Sequence, residues 1–302
     1  MNCHFGCKII TRVLVLGSSG RIGGMLRKAW TSDHFPSRGD VTFSFQRRHA
    51  HPEYPNDLLW DILKEPPHAL TKAVPFDCMI ALSGIVPKAK ADLTLNTAIG
   101  AACVAAASQL AIPHVLLAST SAVYGTGSNN PFSENDGPDP VNDYGRAKRD
   151  MEQNCQAQAQ ALGLNLCCLR IGNVAGADAL LMNGAALAPG ERLKLDCFED
   201  GGTPLRSYIG PESLARVMLS LIHKRPQLPP TLNIATPHPV TMHALAEAAH
   251  MPLDLRHVTD NAHQYVTLDC SRLVALHKFK PTEMQPAEMV AQWRRLSCAP
   301  NV

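Results

Sequence analysis

The sequence has almost no excess of charge of either sign. Its 302 residues include 28 Lys and Arg against 26 Asp and Glu, so the formal net charge is only +2 with histidine neutral. Proteins that bind nucleic acid usually present a clustered basic surface, and so small an excess provides no such surface. We therefore expect a small-molecule substrate as the partner, and no nucleic acid.

The sequence also lacks a hydrophobic run long enough to cross a membrane, which requires about 20 apolar residues. Its Ala-rich stretch Ala98–Ile112 is interrupted by Ser108 and Gln109 and is stopped by Pro113. The first apolar stretch, Val13–Leu16, has the length of a strand and ends at a glycine, unlike the hydrophobic region of a signal peptide. These features predict a cytoplasmic protein that does not associate with a membrane.

Paired cysteine patterns are absent as well, although the chain contains ten cysteines. The cysteines are scattered along a long chain, and several lie in apolar runs such as Leu166–Leu169, where reduced thiols act as small hydrophobic side chains. Cys3, His4 and Cys7 resemble half of a metal site, but no second ligand pair follows at a zinc spacing. We expect reduced thiols and no metal.

What the sequence does contain is an alternation of short β-like runs with longer helical patterns. Hydrophobic residues make up 45% and charged residues 18% of the chain, which excludes a disordered protein. Strands that alternate with helices imply right-handed crossovers and a parallel sheet that is covered on both faces. The pattern predicts an α/β protein with a Rossmann-type doubly wound parallel sheet. The predicted strands are Arg12–Leu16, Val41–Phe45, Leu58–Trp60, Phe76–Leu82, His114–Ala118 and Asn165–Ile171, with helices at Ile22–Trp30, Leu93–Leu110 and Asp143–Leu162.

The C-terminal third is less regular. Residues 184–204 are rich in glycine, proline and charge, which predicts an irregular segment. Helices are predicted at 213–223 and 241–250, with a strand at 231–235. We expect an NAD(P)-binding domain over residues 8–175 with a return segment at about 205–240. Residues 176–204 and 241–302 would form a smaller substrate-binding domain.

A glycine-rich turn follows the first predicted strand. Gly17, Gly20 and Gly23 are spaced so that the first permits a tight turn and the second allows a pyrophosphate to approach the backbone. The third allows the helix to pack on the strand, and the helix N-terminus offers free N–H groups to an anion. The position of this turn between a first strand and a first helix predicts a dinucleotide site.

The end of the second strand distinguishes between the two dinucleotides. NAD sites usually present a carboxylate there to the ribose 2′-hydroxyl, whereas this sequence has Arg47 and Arg48 and no acid. Guanidinium groups bind a 2′-phosphate by charge-assisted hydrogen bonds, which favours NADP, with NAD as the alternative. A solvated basic loop is the other interpretation of the two arginines. Asp61 is expected either to accept a hydrogen bond from the adenine amino group or to cap a helix.

A tyrosine and a lysine lie four residues apart at the start of a predicted helix and therefore share one face. Ionising Tyr144 near neutral pH requires its pKa to fall by about 3 units, and a cation such as Lys148 favours that change. Upstream, a buried-type strand ends in the hydroxyl residues Ser119, Thr120 and Ser121. The ends of parallel strands are where open α/β sheets place their ligands.

Taken together and in this order, these motifs resemble the extended short-chain dehydrogenase/reductases of the NAD-dependent epimerase/dehydratase family. The match runs from residue 12 to about 280, and it is specific for the family rather than for a substrate. It is carried by Gly17-x-x-Gly20-x-x-Gly23, Asp61-Ile62, Ser119–Gly125, Tyr144-x-x-x-Lys148 and Leu169–Val174, with Asn96, Gly100 and Arg206–Ile209.

The resemblance implies Tyr144 as general acid/base, Lys148 as the group that adjusts its pKa and binds ribose, and Thr120 as the hydroxyl that binds the reacting carbonyl. Ser121 replaces Thr120 if the register slips by one residue. Arg206 matches a position that contacts the phosphates of nucleotide-sugar substrates, and a surface salt bridge is its alternative role. The substrate-binding residues are thus expected to be Thr120, Ser121, Asn173 and Arg206.

The resemblance also implies a set of cofactor-binding residues. Asn96 is included as a supporting polar group, although a structural role inside its helix explains it equally well. A homodimer is implied by the family alone. The expected cofactor-binding residues are Gly17, Ser19, Gly20, Arg21, Ile22, Gly23, Arg47, Arg48, Asp61, Ile62, Leu82, Ser83, Gly84, Asn96, Ser119, Tyr144, Lys148, Ile171, Asn173 and Val174.

Several reactions remain open. Dehydratases of the family place an Asp-Glu pair after the catalytic threonine, and Ser121 and Ala122 at these positions argue against dehydration. Because cells keep NADPH as the reducing form, the arginine pair favours a reductase that acts on a carbonyl of a sugar or nucleotide sugar. An NAD(P)-dependent nucleotide-sugar epimerase is the alternative. A non-catalytic NADP-binding sensor is a second alternative, disfavoured because Thr120, Tyr144 and Lys148 are all present.

Overall fold

The computed structural model describes residues 10–33, 35, 39–72, 75–258 and 262–297, so that Cys3, His4 and Cys7 lie outside the described residues. The strands are β1 Thr11–Leu16, β2 Val41–Arg47, β3 Leu58–Leu59, β4 Cys78–Ala81, β5 His114–Thr120, β6 Asn165–Ile171, β7 Asn173–Val174, β8 Leu193–Cys197, β9 Leu205–Arg206, β10 Tyr208–Ile209, β11 Thr231–Ile234, β12 Val240–Thr241, β13 Leu253–His257 and β14 Tyr265–Val266. The α-helices are α1 Arg21–Thr31, α2 His68–Thr71, α3 Leu95–Gln109, α4 Asp143–Ala161, α5 Ala179–Ala185, α6 Pro211–His223, α7 Met242–Ala248, α8 Ser271–Leu276 and α9 Pro286–Ser297.

Seven parallel strands form the central sheet, in the order β11-β6-β5-β4-β1-β2-β3. The chain builds the sheet from β1 to β3 on one side, and then from β4 through β6 to β11 on the other. The strand order therefore reverses between β1 and β4, and a crevice opens between the loops that follow these two strands. Ligands of open α/β sheets bind at this kind of reversal. The doubly wound parallel fold predicted from the sequence is confirmed.

The sheet is buried on both faces because its strands carry apolar residues without polar alternation. Along β1, Val13 and Val15 pack into a hydrophobic cluster that includes residues of α1 and α6. Leu14 and Leu16 pack into a second cluster with residues of α3 and α4. None of these four side chains is exposed, and burial of each contributes about 1.5–3 kcal/mol of hydrophobic free energy.

A third hydrophobic cluster lies outside the sheet and is built from α5, β8, α7 and α9. In β8, Leu193, Leu195 and Cys197 are buried whereas Lys194 is exposed, and the strand pairs in parallel with β13. The prediction that residues 184–204 form only an irregular segment is therefore wrong. The alternation of apolar and polar residues marks the strand, but its partner lies far along the chain, and the flanking glycine and proline conceal it.

Two strands of the central sheet extend further than the sequence predicts. Strand β2 ends at Arg47 rather than Phe45, and β5 ends at Thr120 rather than Ala118. Both extensions are held by parallel pairing to a neighbour, β3 in one case and β6 in the other. As a result the basic and hydroxyl residues stand at strand ends that face the crevice. Over the described part of the chain, no helix is long and apolar enough to span a membrane.

Candidate active site

The glycine turn after β1 packs so tightly that a side chain is excluded at its last glycine. A Cβ at Gly23 would lie 2.3 Å from the carbonyl oxygen of Gly17 and 2.9 Å from the Cα of Ser18. The turn is also fastened to β2, because the amide of Gly17 donates to Oε1 of Gln46 (2.9 Å) and the hydroxyl of Ser18 donates to the Gln46 carbonyl (2.7 Å). Gly20 precedes α1 without a side-chain cap, which leaves the first amides of the helix available to an anion.

Half of the predicted cofactor-binding residues line one cleft at the crevice between β1 and β4. The cleft is walled by the glycine turn on one side and by the loops after β2, β3 and β4 on the others. Sequence reasoning missed Gln46, Leu63, Ile85 and Ile99 in its lining. The predicted residues that the structure brings together here are Gly17, Ser19, Gly20, Arg47, Arg48, Asp61, Ile62, Leu82, Ser83 and Gly84.

Asp61 and Asn96 both hold backbone in place beside this cleft. Oδ1 of Asp61 accepts from the amide of Leu63 (3.2 Å), so the carboxylate caps a turn as well as lining the cleft. The side chain of Asn96 is buried, accepts from the amide of Ile85 and donates to the carbonyls of Ile85 and Leu93, each at 3.0 Å. The structural role considered for Asn96 is therefore present, and it shapes the cleft wall at Ile85.

Some predicted cofactor residues do not present a side chain to the cleft. Ile171 and Val174 pack into the hydrophobic core, and Ser119 is buried with its hydroxyl lacking a hydrogen-bond partner. Ile22 packs against the same core as Ile171. Cofactor contacts by Ile171 and Val174 would have to be made by their backbone.

The two arginines at the end of β2 differ in environment. Arg47 is only 8% exposed, whereas Arg48 is exposed, and both line the cleft. The interpretation of a solvated basic loop is therefore wrong for Arg47. Gln46, which takes the place of the usual acid, is also buried. Its side-chain Oε1 accepts from the backbone N–H of Gly17, and its Nε2 donates to the carbonyl of Trp60.

Helix α4 begins in a way that brings its tyrosine to the end of β5. The side chain of Asn142 caps the helix by accepting from the amide of Gly145 (2.8 Å). A Cβ at Gly145 would lie 2.3 Å from the carbonyl oxygen of Ala122, so only glycine allows the helix start to contact the turn that follows β5. This contact places Tyr144 beside Thr120, whose hydroxyl acts to lower the pKa of the phenol.

The environment of Tyr144 keeps its phenol protonated. Burial raises the pKa of Tyr144, while the hydrogen bond from Thr120 and the positive charge of Arg21 act in the opposite direction. Burial is the largest of these influences, and the net pKa lies above that of an ordinary tyrosine. At neutral pH the phenol is therefore a proton donor.

Lys148 is buried beside the cleft. Its amine donates to the carbonyl of Ala118 (2.8 Å), and a Cβ on the cleft residue Gly84 would lie 3.7 Å from Nζ. Burial lowers the pKa of Lys148 to about 8, although the negative charge of Glu152 counteracts this. That Lys148 adjusts the pKa of Tyr144 stays a prediction, since the cation that lowers that pKa here is Arg21.

Arg21 connects the glycine turn to the C-terminal part of the chain. Its Nη1 donates to the carbonyl of Ala177 (3.1 Å) and contacts the sulfur of Met182 (2.8 Å) on α5. The guanidinium group of Arg21 thus extends from the glycine turn to α5. The sequence marks Arg21 only as a residue of the turn, because its reach depends on where α5 lies.

A second cavity lies beside β7 to β10 and contains two of the predicted substrate residues, Asn173 and Arg206. The guanidinium group of Arg206 donates to the carbonyls of Leu205, His263 and Gln264 at 2.7–2.8 Å, so it is anchored by backbone. Ser121 stands apart, in the short helical turn after β5. Sequence reasoning missed four charged residues of this cavity. The alternating pattern of β8 and β13 was the signal for Lys194, Asp196 and Arg256, and Asp178 caps α5.

The arrangement as a whole suits proton transfer at a bound dinucleotide. A protonated phenol with a hydroxyl partner stands at the carboxyl end of β5, beside a cleft that has a glycine turn and a basic rim. A second cavity with charged walls lies beside β7 to β10. Such a site can donate a proton to, or accept one from, an oxygen atom of a substrate.

Comparisons with known proteins agree with this geometry. The model of the NAD dependent epimerase/dehydratase family matches residues 13–235. A UDP-glucose 4-epimerase of Azospirillum brasilense is 30% identical over 242 residues, which cover 71% of this chain and 69% of that protein.

Two solved structures are also similar. The UDP-Glc/GlcNAc 4-epimerase of Campylobacter jejuni has a TM-score of 0.75 at 17% identity, covering 95% of this chain and 98% of the other. The UDP-glucose 4-epimerase of Thermus thermophilus, in complex with NAD, has a TM-score of 0.72 at 19% identity, covering 94% and 99%. At these identities the structural matches establish a common fold.

Proposed function

Since the chain belongs to the NAD dependent epimerase/dehydratase family, we propose that it is an NADP-dependent oxidoreductase that reduces a carbonyl of a sugar or nucleotide sugar. Tyr144 is the general acid in this proposal, Thr120 its hydrogen-bond partner and a ligand of the reacting oxygen, and Lys148 a ligand of ribose. The observation that carries the proposal is the close packing of the start of α4 on the turn after β5, which sets Tyr144 beside Thr120.

The residues of the cleft fit a nicotinamide dinucleotide. The turn has no room for a Cβ at Gly17 or Gly23, and it exposes amides to a diphosphate. The buried guanidinium group of Arg47 has two nitrogen atoms, Nε and Nη1, without a hydrogen-bond partner. When bound, the nicotinamide ring supplies or accepts the hydride. Orientation of the substrate and movement of the proton are the work of the protein.

A protonated Tyr144 is the form that reduction of a carbonyl requires. The carbonyl oxygen of the substrate must gain a proton as it becomes a hydroxyl, and a phenol with a raised pKa holds that proton at neutral pH. The charge of Arg21 then stabilises the phenolate that is left. Re-protonation from solvent would complete the cycle.

The basic end of β2 supports NADP as the cofactor. No carboxylate takes the position that would bind a ribose 2′-hydroxyl, because Gln46 is there and its amide is used by the glycine turn. Arg47 and Arg48 both line the adenosine end of the cleft and provide positive charge. A 2′-phosphate is attracted to such a site, whereas NAD gains nothing from it.

A nucleotide-sugar epimerase is the second candidate. The curated relative from Azospirillum brasilense, a UDP-glucose 4-epimerase, favours it. The second cavity, with Arg206 and Asn173 in its wall, offers room and positive charge for the nucleotide part of such a substrate. The same phenol would serve both reactions, since an epimerase must remove and return one proton.

One experiment separates the two candidates. The purified protein is incubated with keto sugars and NADPH, and separately with nucleotide sugars and NADP+ or NAD+, because an epimerase must first oxidise its substrate. The absorbance of the reduced cofactor and the sugar products are followed together. A reductase consumes one NADPH for each product formed, whereas an epimerase forms product without net consumption. If neither occurs with any compound while NADPH still binds, the catalytic proposal is refuted and the sensor alternative is favoured.

The cofactor assignment has its own test. Replacing both arginines, Arg47→Ala with Arg48→Ala, is expected to weaken NADPH binding far more than NADH binding, because only NADPH carries the 2′-phosphate. Fluorescence titration of the two reduced cofactors measures both affinities. Equal losses for both cofactors would contradict the assignment.

A further inference from the structure

Arg47 is a buried cation at the wall of the cleft, with two nitrogen atoms that lack a hydrogen-bond partner. Its side chain is 9% exposed, and Nε and Nη1 are buried without a hydrogen-bond partner. Buried polar groups are nearly always hydrogen bonded, so a guanidinium group at the wall of a cleft with such unused capacity is a candidate ligand of an anion. The wall in question also contains Gly17 and Gly20 of the glycine turn.

A buried carboxylate holds this guanidinium group in place. Asp57, whose side chain is only 3% exposed, accepts two hydrogen bonds from Arg27, at 2.6 and 2.7 Å. Its Oδ2 also lies 3.4 Å from Nε of Arg47. One carboxylate is thus shared by two guanidinium groups, and the three residues together carry a single positive charge.

An aromatic ring adds a second constraint. The guanidinium carbon of Arg27 lies 3.7 Å from the ring centroid of Tyr54 and 4.4 Å from that of Phe45, so that Arg27 is packed between two rings. Arg47 lies over the same tyrosine, at 5.1 Å. Cation–π contacts of this kind restrict where the two arginines can move.

We propose that Asp57 and Tyr54 are positioning residues that hold Arg47 toward the 2′-phosphate of the cofactor and thereby set the preference for NADP over NAD. This inference rests on the cofactor part of the proposed function. The geometry supports it because Asp57 lies on the Nε side of Arg47 and Tyr54 packs against its guanidinium group, while Arg47 lines the cleft. A phosphate in the cleft would neutralise the remaining positive charge, which a ribose hydroxyl does not do.

The test uses two adenosine nucleotides that differ only in the group of interest. Affinities for 2′,5′-ADP and 5′-ADP are measured by isothermal titration calorimetry with the wild-type protein and with Asp57→Asn and Tyr54→Leu. Tyr54→Phe is the matched control, because it retains the ring face on which both arginines lie. Thermal unfolding of each variant reports whether the fold is intact.

We expect the wild-type protein and Tyr54→Phe to bind 2′,5′-ADP much more tightly than 5′-ADP. Loss of one charge-assisted contact typically costs about tenfold, so Asp57→Asn and Tyr54→Leu should each lose about that factor for 2′,5′-ADP. Binding of 5′-ADP should change by less than about threefold, since the glycine turn that binds its phosphates is untouched. Should Asp57→Asn fail to fold, Tyr54→Leu against Tyr54→Phe decides the result.

The outcomes separate this inference from the proposed function. If the wild-type protein does not distinguish the two nucleotides, the NADP assignment itself is wrong. If it distinguishes them and Tyr54→Leu and Asp57→Asn still do so equally well, the assignment stands and the positioning role is refuted. Tighter binding of 2′,5′-ADP by Asp57→Asn would also refute it, because the carboxylate would then oppose the phosphate rather than orient the arginine.

Discussion

Removing the charge of Glu152 is expected to destabilise the protein strongly. Glu152 on α4 accepts from Arg170 on β6, with Nη2 at 2.8 Å and Nε at 3.2 Å, and the two side chains are only 3% and 6% exposed. The guanidinium group also lies 4.6 Å from the ring centroid of Tyr124, and its Nη1 is buried without a hydrogen-bond partner. The carboxylate is therefore the counterion on which this buried cation depends.

Glu152→Gln retains the shape of the side chain but leaves a buried charge without a counterion. Breaking a buried pair from one side typically costs about 3–5 kcal/mol of unfolding free energy. In a chain of this size that loss lowers the melting temperature by roughly 10 °C. Equilibrium unfolding in urea, followed by circular dichroism, measures the first quantity, and a thermal scan measures the second.

A matched control lies on the same helix. Arg149 and Asp150 form an ion pair at the same distance, 2.8 Å, but their side chains are 33% and 53% exposed. Asp150→Asn should cost less than about 1 kcal/mol, because water screens the pair and hydrates the arginine that is left. If Glu152→Gln costs no more than Asp150→Asn, the reasoning from burial is refuted.

Three further predictions concern the site. Gly23→Ala should abolish dinucleotide binding in a titration with NADPH, because its Cβ would lie 2.3 Å from a backbone oxygen. The control Gly24→Ala should bind NADPH normally, because its Cβ would lie 3.9 Å from its nearest neighbour. Equal binding by both variants would contradict the tight turn. Arg21→Met should raise the pKa of Tyr144, because the variant loses a positive charge that lowers this pKa. Ultraviolet titration, with Tyr144→Phe as the reference, measures the change. An unchanged pKa would show that water screens the charge of Arg21 from the phenol. The folded-state pKa of Lys148 is about 8 against an ordinary 10.5, so the unfolded chain binds more protons between these values and stability should rise with pH across this window. Urea unfolding at several pH values should show this rise in unfolding free energy, and Lys148→Met should reduce it. If the unfolding free energy of Lys148→Met rises with pH as steeply as that of the wild-type protein, the lowered pKa of a buried Lys148 is contradicted.

The parts of the site that were predicted from the sequence depend on local pattern. The turn from Gly17 to Gly23 and the helix that carries Tyr144 and Lys148 are each encoded within a few residues, and so their spacing is informative. The apolar run Val13–Leu16 predicts a strand buried on both faces for the same reason. The parallel direction of the strands then follows from the alternation of strands and helices.

The parts that were missed depend on pairing between distant segments. Strand β8 is stabilised by β13, and Arg21 reaches α5, although neither partner is visible in the neighbouring sequence. Asp57 resembles an ordinary acid in a loop until Arg27 and Arg47 are found on either side of it. The roles that tertiary contacts of this kind give to charged residues cannot be predicted from the composition or the periodicity of the sequence.

The central claim is that Tyr144, which lies beside Thr120, moves the proton for hydride chemistry in this cleft. The most direct test uses NADPH that carries deuterium at the transferable position, with mass spectrometry of the sugar products formed by the wild-type protein and by Tyr144→Phe. The account predicts deuterium in a wild-type product. In Tyr144→Phe the rate of deuterium incorporation should fall at least about a hundredfold, the lower end of the range for removal of a general acid, while NADPH affinity is retained. Equal incorporation of deuterium by the two proteins would contradict it.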